Sequence, residues 1–157
     1  MAYSLPHVAP TMSQGINTRL RIVAADDEPE MLAYYQRLIP VFGHQVDGLV
    51  GTGHELVDMC RHKSPDLVIS DIRMPGMSGL DAVRQIQSPF VLVSAEDEPP
   101  GIRQQFSERL ITYLTKPINR MVLKDLFDLL QRLYTLGQFQ ISPPVIPAPI
   151  IPPTPTD

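Results

Sequence analysis

The stretch that decides the fold runs VISDIRMPGMSGLD, from Val68 to Asp81. With Asp66 and Leu67 before it, it opens as a buried strand should, mostly apolar over four to six residues. It then meets a lone carboxylate, Asp71, and breaks into a loop that holds Pro75, Gly76 and Gly79. Strands often end in turn formers, and aspartate is a good one. The sequence on either side of this stretch shows that Asp71 is one of a set.

Short apolar runs alternate with helical patterns along the chain. Leu20–Ala25 reads as strand one, and Pro29 sits where a first helical turn tolerates proline. Met31, Leu32, Tyr35, Leu38 and Ile39 follow at helical spacing, and Gly43 ends that helix. His44–Val50 is predicted as strand two and Gly53–Lys63 as helix two, with Leu56, Val57 and Cys60 on one face. After strand three, SGLDAVRQIQ (78–87) is predicted as helix three, with Ser78 as its cap. Pro89–Ser94 is strand four, GIRQQFSERL (101–110) a weak helix four and ITYLT (111–115) strand five. From Asn119 a strongly amphipathic fifth helix follows. Five strands alternating with five helices imply a parallel sheet covered on both faces.

In such sheets ligands bind beyond the carboxyl ends of the strands, where strand order reverses. Strand one ends in Asp26 and Asp27, strand three in Asp71, strand four in Ser94 and strand five in Lys116, followed by Pro117. With the order 2-1-3-4-5, strands one and three are neighbours, and three carboxylates converge beside a hydroxyl and an ammonium. Two unit charges about 5 Å apart repel by roughly 3 kcal/mol at an effective dielectric of about 20. Such a cluster calls for a cation, a protonated member or a function. Lys116 brings one positive charge, and a hard oxygen-seeking cation such as Mg²⁺ suits the rest. A carboxylate nucleophile beside a metal, a hydroxyl and a lysine is suited to phosphoryl transfer.

The composition narrows the alternatives. The chain has 157 residues, 43% of them hydrophobic and 19% charged, enough for one domain with a core and two tails. Its formal net charge of −4 gives no basic footprint for direct nucleic-acid binding. No apolar run approaches the roughly 18 residues of a membrane span, and the amino terminus lacks the pattern of a secretory leader. The single cysteine, Cys60, allows no internal disulfide, which fits a cytoplasmic protein. Seven of the seventeen prolines fall between Pro143 and Pro155. The expected division is an amino-terminal tail (1–18), a folded domain (19–136) and a proline-rich tail (137–157). The PxxP spacings of that last segment suit docking grooves.

At this point the chain resembles the receiver domain of two-component response regulators. The resemblance rests on IVAADDEPE (22–30), DLVISDIRMPGMSGLD (66–81), VLVSAED (91–97) and YLTKP (113–117), which occur in the family's order. It implies a flavodoxin-like α/β fold and a phosphoacceptor that assists its own phosphorylation and dephosphorylation without being an enzyme. Asp71 would take phosphate from a histidine kinase or a histidine phosphotransfer protein. Asp27, Asp71 and the main-chain carbonyl of Arg73 would hold Mg²⁺, with Asp26 assisting through water. Ser94 and Lys116 would bind phosphoryl oxygens, and Tyr113 would act with Ser94 as the switch. Arg73 and Glu96 would overhang the pocket mouth, where their opposite charges let them pair. The Lys116–Pro117 bond would be cis. Output would run through helix four, strand five and helix five, to an output protein or through a phosphorylation-dependent homodimer.

The chain departs from the family where Gln87 meets Ser88, which shortens helix three or its exit. Arg109-Leu110 also stands where Gly-Ala is frequent, and the run Glu98–Gly101 implies a short or irregular helix four. Two other readings stay open. One is a receiver-like scaffold that is not phosphorylated. The other is an aspartate-nucleophile phosphatase of the haloacid dehalogenase type, in which the nucleophile follows the first strand and a second aspartate stands two residues on. Here that second position is Arg73.

Overall fold

The computed structural model describes residues 19–139. The expected tail 1–18 and the proline-rich run from residue 140 onward lie outside the described residues, as do the PxxP spacings. In chain order the elements are β1 (Arg21–Ala25), α1 (Pro29–Val41), β2 (Gln45–Val50), α2 (Gly53–Lys63), β3 (Leu67–Asp71), α3 (Gly79–Val83), β4 (Phe90–Ser94), α4 (Ile102–Gln105), β5 (Leu110–Thr115) and α5 (Arg120–Thr135). The five strands form one parallel sheet in the order β2-β1-β3-β4-β5. The α/β class and the doubly wound order agree with the sequence.

Side-chain alternation along the strands builds two cores. Ile22, Ala24, Leu67, Ile69, Val91 and Val93 face α1 and α5, where Leu38, Leu123 and Phe127 meet them. Val23, Ala25, Val68, Phe90 and Leu92 face α2, α3 and α4, and pack with Leu56, Ala82 and Ile102. Because both faces are covered, β3 and β4 are buried along their whole length. That is why their sequences read as continuous apolar runs without polar alternation. The α5 helix buries Leu123, Leu126, Phe127 and Leu130, an i, i+3, i+4, i+7 stripe. Each such burial stabilises by about 1.5–3 kcal/mol. Asn119 starts α5, its Oδ1 accepting from Val122 N at 2.9 Å, and Phe139 is buried in the same core, past the boundary expected at 136.

The α3 and α4 helices are short, as the departures at Gln87–Ser88 and Glu98–Gly101 implied, and both end inside the runs read as helical. The α3 helix was expected over 78–87 but ends at Val83. Ser78 caps it as predicted, accepting from Asp81 N at 3.1 Å. At the other end, Arg109 donates through one guanidinium nitrogen to the Val83 carbonyl at 2.8 Å and to the Ile86 carbonyl. Those acceptors are ones a shortened helix leaves open. The α4 helix was expected over 101–110 but is one turn, Ile102–Gln105, entered through Gly101 at φ 81°. The sheet claims the rest: Phe90 N donates to Arg109 O at 2.9 Å, and Leu110 pairs with Phe90 as the first residue of β5. Non-local hydrogen bonding overrides a weak local helix signal there.

Candidate functional site

Strand register brings the polar strand ends together. Ala25 pairs with Ser70 across β1 and β3, so the residues that follow, Asp26 and Asp71, emerge side by side. Ser94 pairs with Thr115 across β4 and β5, and Lys116 N donates to Ser94 O at 2.7 Å. The Lys116–Pro117 bond is cis. Carboxylate oxygens of Asp26, Asp27 and Asp71 lie within 4.8 Å of one another. Lys116 Nζ donates to Asp26 Oδ2 and to Asp71 Oδ2, both at 3.0 Å, and stands 3.9 Å from Glu28 Oε2.

The environments of the three acids differ. Asp26 is fully buried, Asp71 is buried to 7% exposure and Asp27 is open to solvent. Burial raises the pKa of Asp26 above the usual carboxylate value, and the neighbouring Asp71 charge adds to the rise. The Glu28 N–H at 2.9 Å and Lys116 oppose it without cancelling it. Burial also works against the Lys116 ammonium, but its hydrogen bonds to Asp71 and Asp26 and their negative charges hold its pKa above the ordinary lysine value. Asp71 Oδ1 accepts from Arg73 N at 3.1 Å, so each oxygen of this carboxylate already has a donor.

The loop after Asp71 is held tightly. Gly79 N donates to Ile72 O at 2.8 Å. A Cβ on Gly79 would stand 1.8 Å from the Asp71 carbonyl oxygen, so no other residue fits without moving β3. Ser94 is 3% exposed, and its Oγ accepts from Glu96 N at 3.1 Å. Tyr113 is buried, and its hydroxyl donates to the carbonyls of Glu96 at 2.9 Å and Asp97 at 3.3 Å. Arg73 and Glu96, both exposed, form an ion pair that links the segment after Asp71 to the segment after Ser94.

All eight residues singled out in the sequence therefore cluster at the carboxyl edge of the sheet. Glu28 joins them without having been singled out, although it directly follows the acidic pair. Gly53, which packs against the Met77 backbone, gave no chemical signal in the sequence. Cys60 is buried on the inner face of α2, as read from the sequence, and Met74 is buried as well. The donor set suits a hard divalent cation: among the described residues it offers carboxylate oxygens of Asp26, Asp27 and Asp71.

Comparisons with known proteins place the chain. The family model described as the response regulator receiver domain matches residues 22–128. Protein PilH of Pseudomonas aeruginosa is 32% identical over 114 residues, covering 66% of this chain and 90% of that protein. The transcriptional regulatory protein PdtaR of Mycobacterium tuberculosis is 28% identical over 114 residues, 70% of this chain. The chain spans only 56% of PdtaR's length. Among solved structures, the chemotaxis response regulator CheY4 of Vibrio cholerae superposes with a TM-score of 0.62 at 24% identity, covering 72% of this chain and 100% of that one, and shares the fold. The response regulator PhyR from Brucella abortus gives 0.61 at 27% identity, covering 82% of this chain and 55% of that one. With the matched region spanning every strand and the acids, hydroxyl and lysine gathered at one sheet edge, the chain belongs to the response regulator receiver domain family.

Proposed function

We propose that the chain is the phosphoacceptor module of a two-component phosphorelay and takes a phosphoryl group on Asp71 from a histidine kinase or a histidine phosphotransfer protein. The observation that carries this reading is the convergence of Asp26, Asp27 and Asp71 with Lys116 bonded to two of them at 3.0 Å. An Asp71 oxygen attacks phosphorus, and the P–N bond to the donor imidazole breaks. The electron pair stays on that imidazole nitrogen, which takes up a proton. Asp71 becomes an acyl phosphate: its carboxylate charge leaves with the electron pair that goes to the imidazole, and the phosphoryl oxygens keep the charge they brought. Lys116, already bonded to Asp71, then pairs with a phosphoryl oxygen, and Ser94 Oγ donates to another.

Mg²⁺ bound here would neutralise charge on the phosphoryl oxygens. Asp27, Asp71 and the Arg73 main-chain carbonyl would hold it, and Asp26 would assist through water. The chain assists its own phosphorylation and dephosphorylation and acts on no separate substrate, so it is a signalling module rather than an enzyme. Output passes from Ser94 and Tyr113 to the surface of α4, β5 and α5, by shifting an equilibrium that exists before phosphorylation. A cytoplasmic location follows from a kinase partner that uses ATP. Among the described residues no helix is long and apolar enough to cross a membrane.

Intact mass after incubation with acetyl phosphate and Mg²⁺ tests this. The wild type should gain one phosphate that is labile in base, and Asp71→Asn should gain none. A base-labile phosphate on Asp71→Asn would overturn the assignment, and an unmodified wild type would favour the scaffold reading.

A further inference from the structure

The first turn of α2 abuts the loop that follows Asp71. Gly53 opens α2 and is buried. A Cβ on it would stand 2.4 Å from the Met77 carbonyl oxygen and 2.9 Å from the Met77 carbonyl carbon. Both are backbone atoms, so no change of rotamer relieves the overlap. One of the two segments would have to move.

The helix is the less free of the two. Thr52 caps it, its Oγ1 accepting from Glu55 N at 3.2 Å, and Leu56 and Val57 are anchored in the core directly behind. A shift therefore falls on the loop Ile72–Ser78. That loop is closed at its base by the Ile72–Gly79 hydrogen bond, Pro75 fixes φ at its middle, and Met74 is buried. Few torsions remain to absorb a displacement at Met77 before it reaches Arg73.

We propose that Gly53 is a positioning residue for the phosphoacceptor site. By admitting the Met77 carbonyl against the first turn of α2, it holds the loop so that the Arg73 main-chain carbonyl faces the metal position. The inference rests on the Mg²⁺ reading given above. A purely structural glycine would alter stability and leave metal affinity alone, and that difference decides the test.

Calorimetric titration of Mg²⁺ into the full chain should show binding on the order of tenfold weaker in Gly53→Ala, the scale on which residues behind metal ligands act. Gly51→Ala is the control, because a Cβ there meets only the Asp26 carbonyl oxygen at 3.8 Å, and it should bind as the wild type does. Wild-type affinity in a folded Gly53→Ala protein overturns the proposal. If Gly53→Ala does not fold, hydrogen exchange on the wild type decides. Mg²⁺ should slow exchange in residues 73–79 and in the first turn of α2 together, and protection confined to the loop overturns the proposal. A wild type that shows neither heat nor altered exchange with Mg²⁺ removes the metal reading itself, and this inference with it.

Discussion

The Tyr113 hydroxyl donates to the Glu96 carbonyl at 2.9 Å, so an aromatic on the edge strand holds the loop whose carboxylate pairs with Arg73. The ring is buried beneath that loop while Ser94, at the loop's start, bonds Glu96 N. Glu96 thereby joins Tyr113 on β5, Ser94 at the end of β4 and Arg73 after β3.

Tyr113→Phe keeps the ring and removes the donor. The loss in stability should be about 0.5–1.5 kcal/mol, the net worth of one hydrogen bond. Urea unfolding reads that loss, and hydrogen exchange over residues 95–98 should quicken. With fluorine-labelled tyrosine at position 113, phosphorylation should move the resonance. Identical spectra with and without phosphate would exclude a switch role for this residue.

The Arg73–Glu96 pair is 74% and 61% exposed, so its contribution to stability is about 0–1 kcal/mol. On the phosphoacceptor reading its position would matter more, because a bridge between these two loops would obstruct the line along which water attacks the acyl phosphate. Arg73→Ala and Glu96→Ala together should shorten the phosphate lifetime. Either single change should produce most of that effect, because either one breaks the bridge. Equal decay rates in all four proteins would show that the bridge does not gate hydrolysis.

Arg109 takes the place of the missing turns of α3. Its guanidinium binds the Val83 and Ile86 carbonyls and lies over the Phe90 ring, 5.5 Å from the centroid. Arg109→Ala should cost about 1.5–3 kcal/mol in urea unfolding, as hydrogen bonds from a charged donor do. Arg109→Lys should recover only part, because an ammonium lacks the planar face that stacks on the ring. Full recovery by lysine would mean that charge alone suffices there.

Cys60 gives a pH dependence remote from the site. Burial pushes its thiol from 9.0 to about 12. Between those values the unfolded chain releases the thiol proton and the folded chain keeps it, so stability falls as pH rises from 9.0 towards 12. Below 9.0 the contribution is fully present. The slope of the urea midpoint against pH in this window should be steeper for the wild type than for Cys60→Ala. A maleimide should also label the native protein far more slowly than the unfolded one at pH 8. Equal labelling rates would show that the thiol is open to solvent.

The sequence by itself determined the elements whose signal is local. Apolar runs four to six residues long mark β1, β3 and β4, because a strand buried on both faces admits only such residues. The bounds of α2, Gly53–Lys63, are those its helical spacing predicted. The acids, the hydroxyl and the lysine were legible because each closes a strand, and parallel strands deliver their ends to one edge. Where α3 and α4 stop was decided by the tertiary structure. Arg109 is recruited from far along the chain to donate to the carbonyls left open at the early end of α3, and Phe90 draws Arg109 and Leu110 into the sheet. The contact of Gly53 with Met77 is equally out of reach of composition and spacing, whereas the pairing of Arg73 with Glu96 was expected from the family resemblance and is present. The Gly53 contact depends on how a loop and a helix end meet in space, and only the packed core sets distances on that scale.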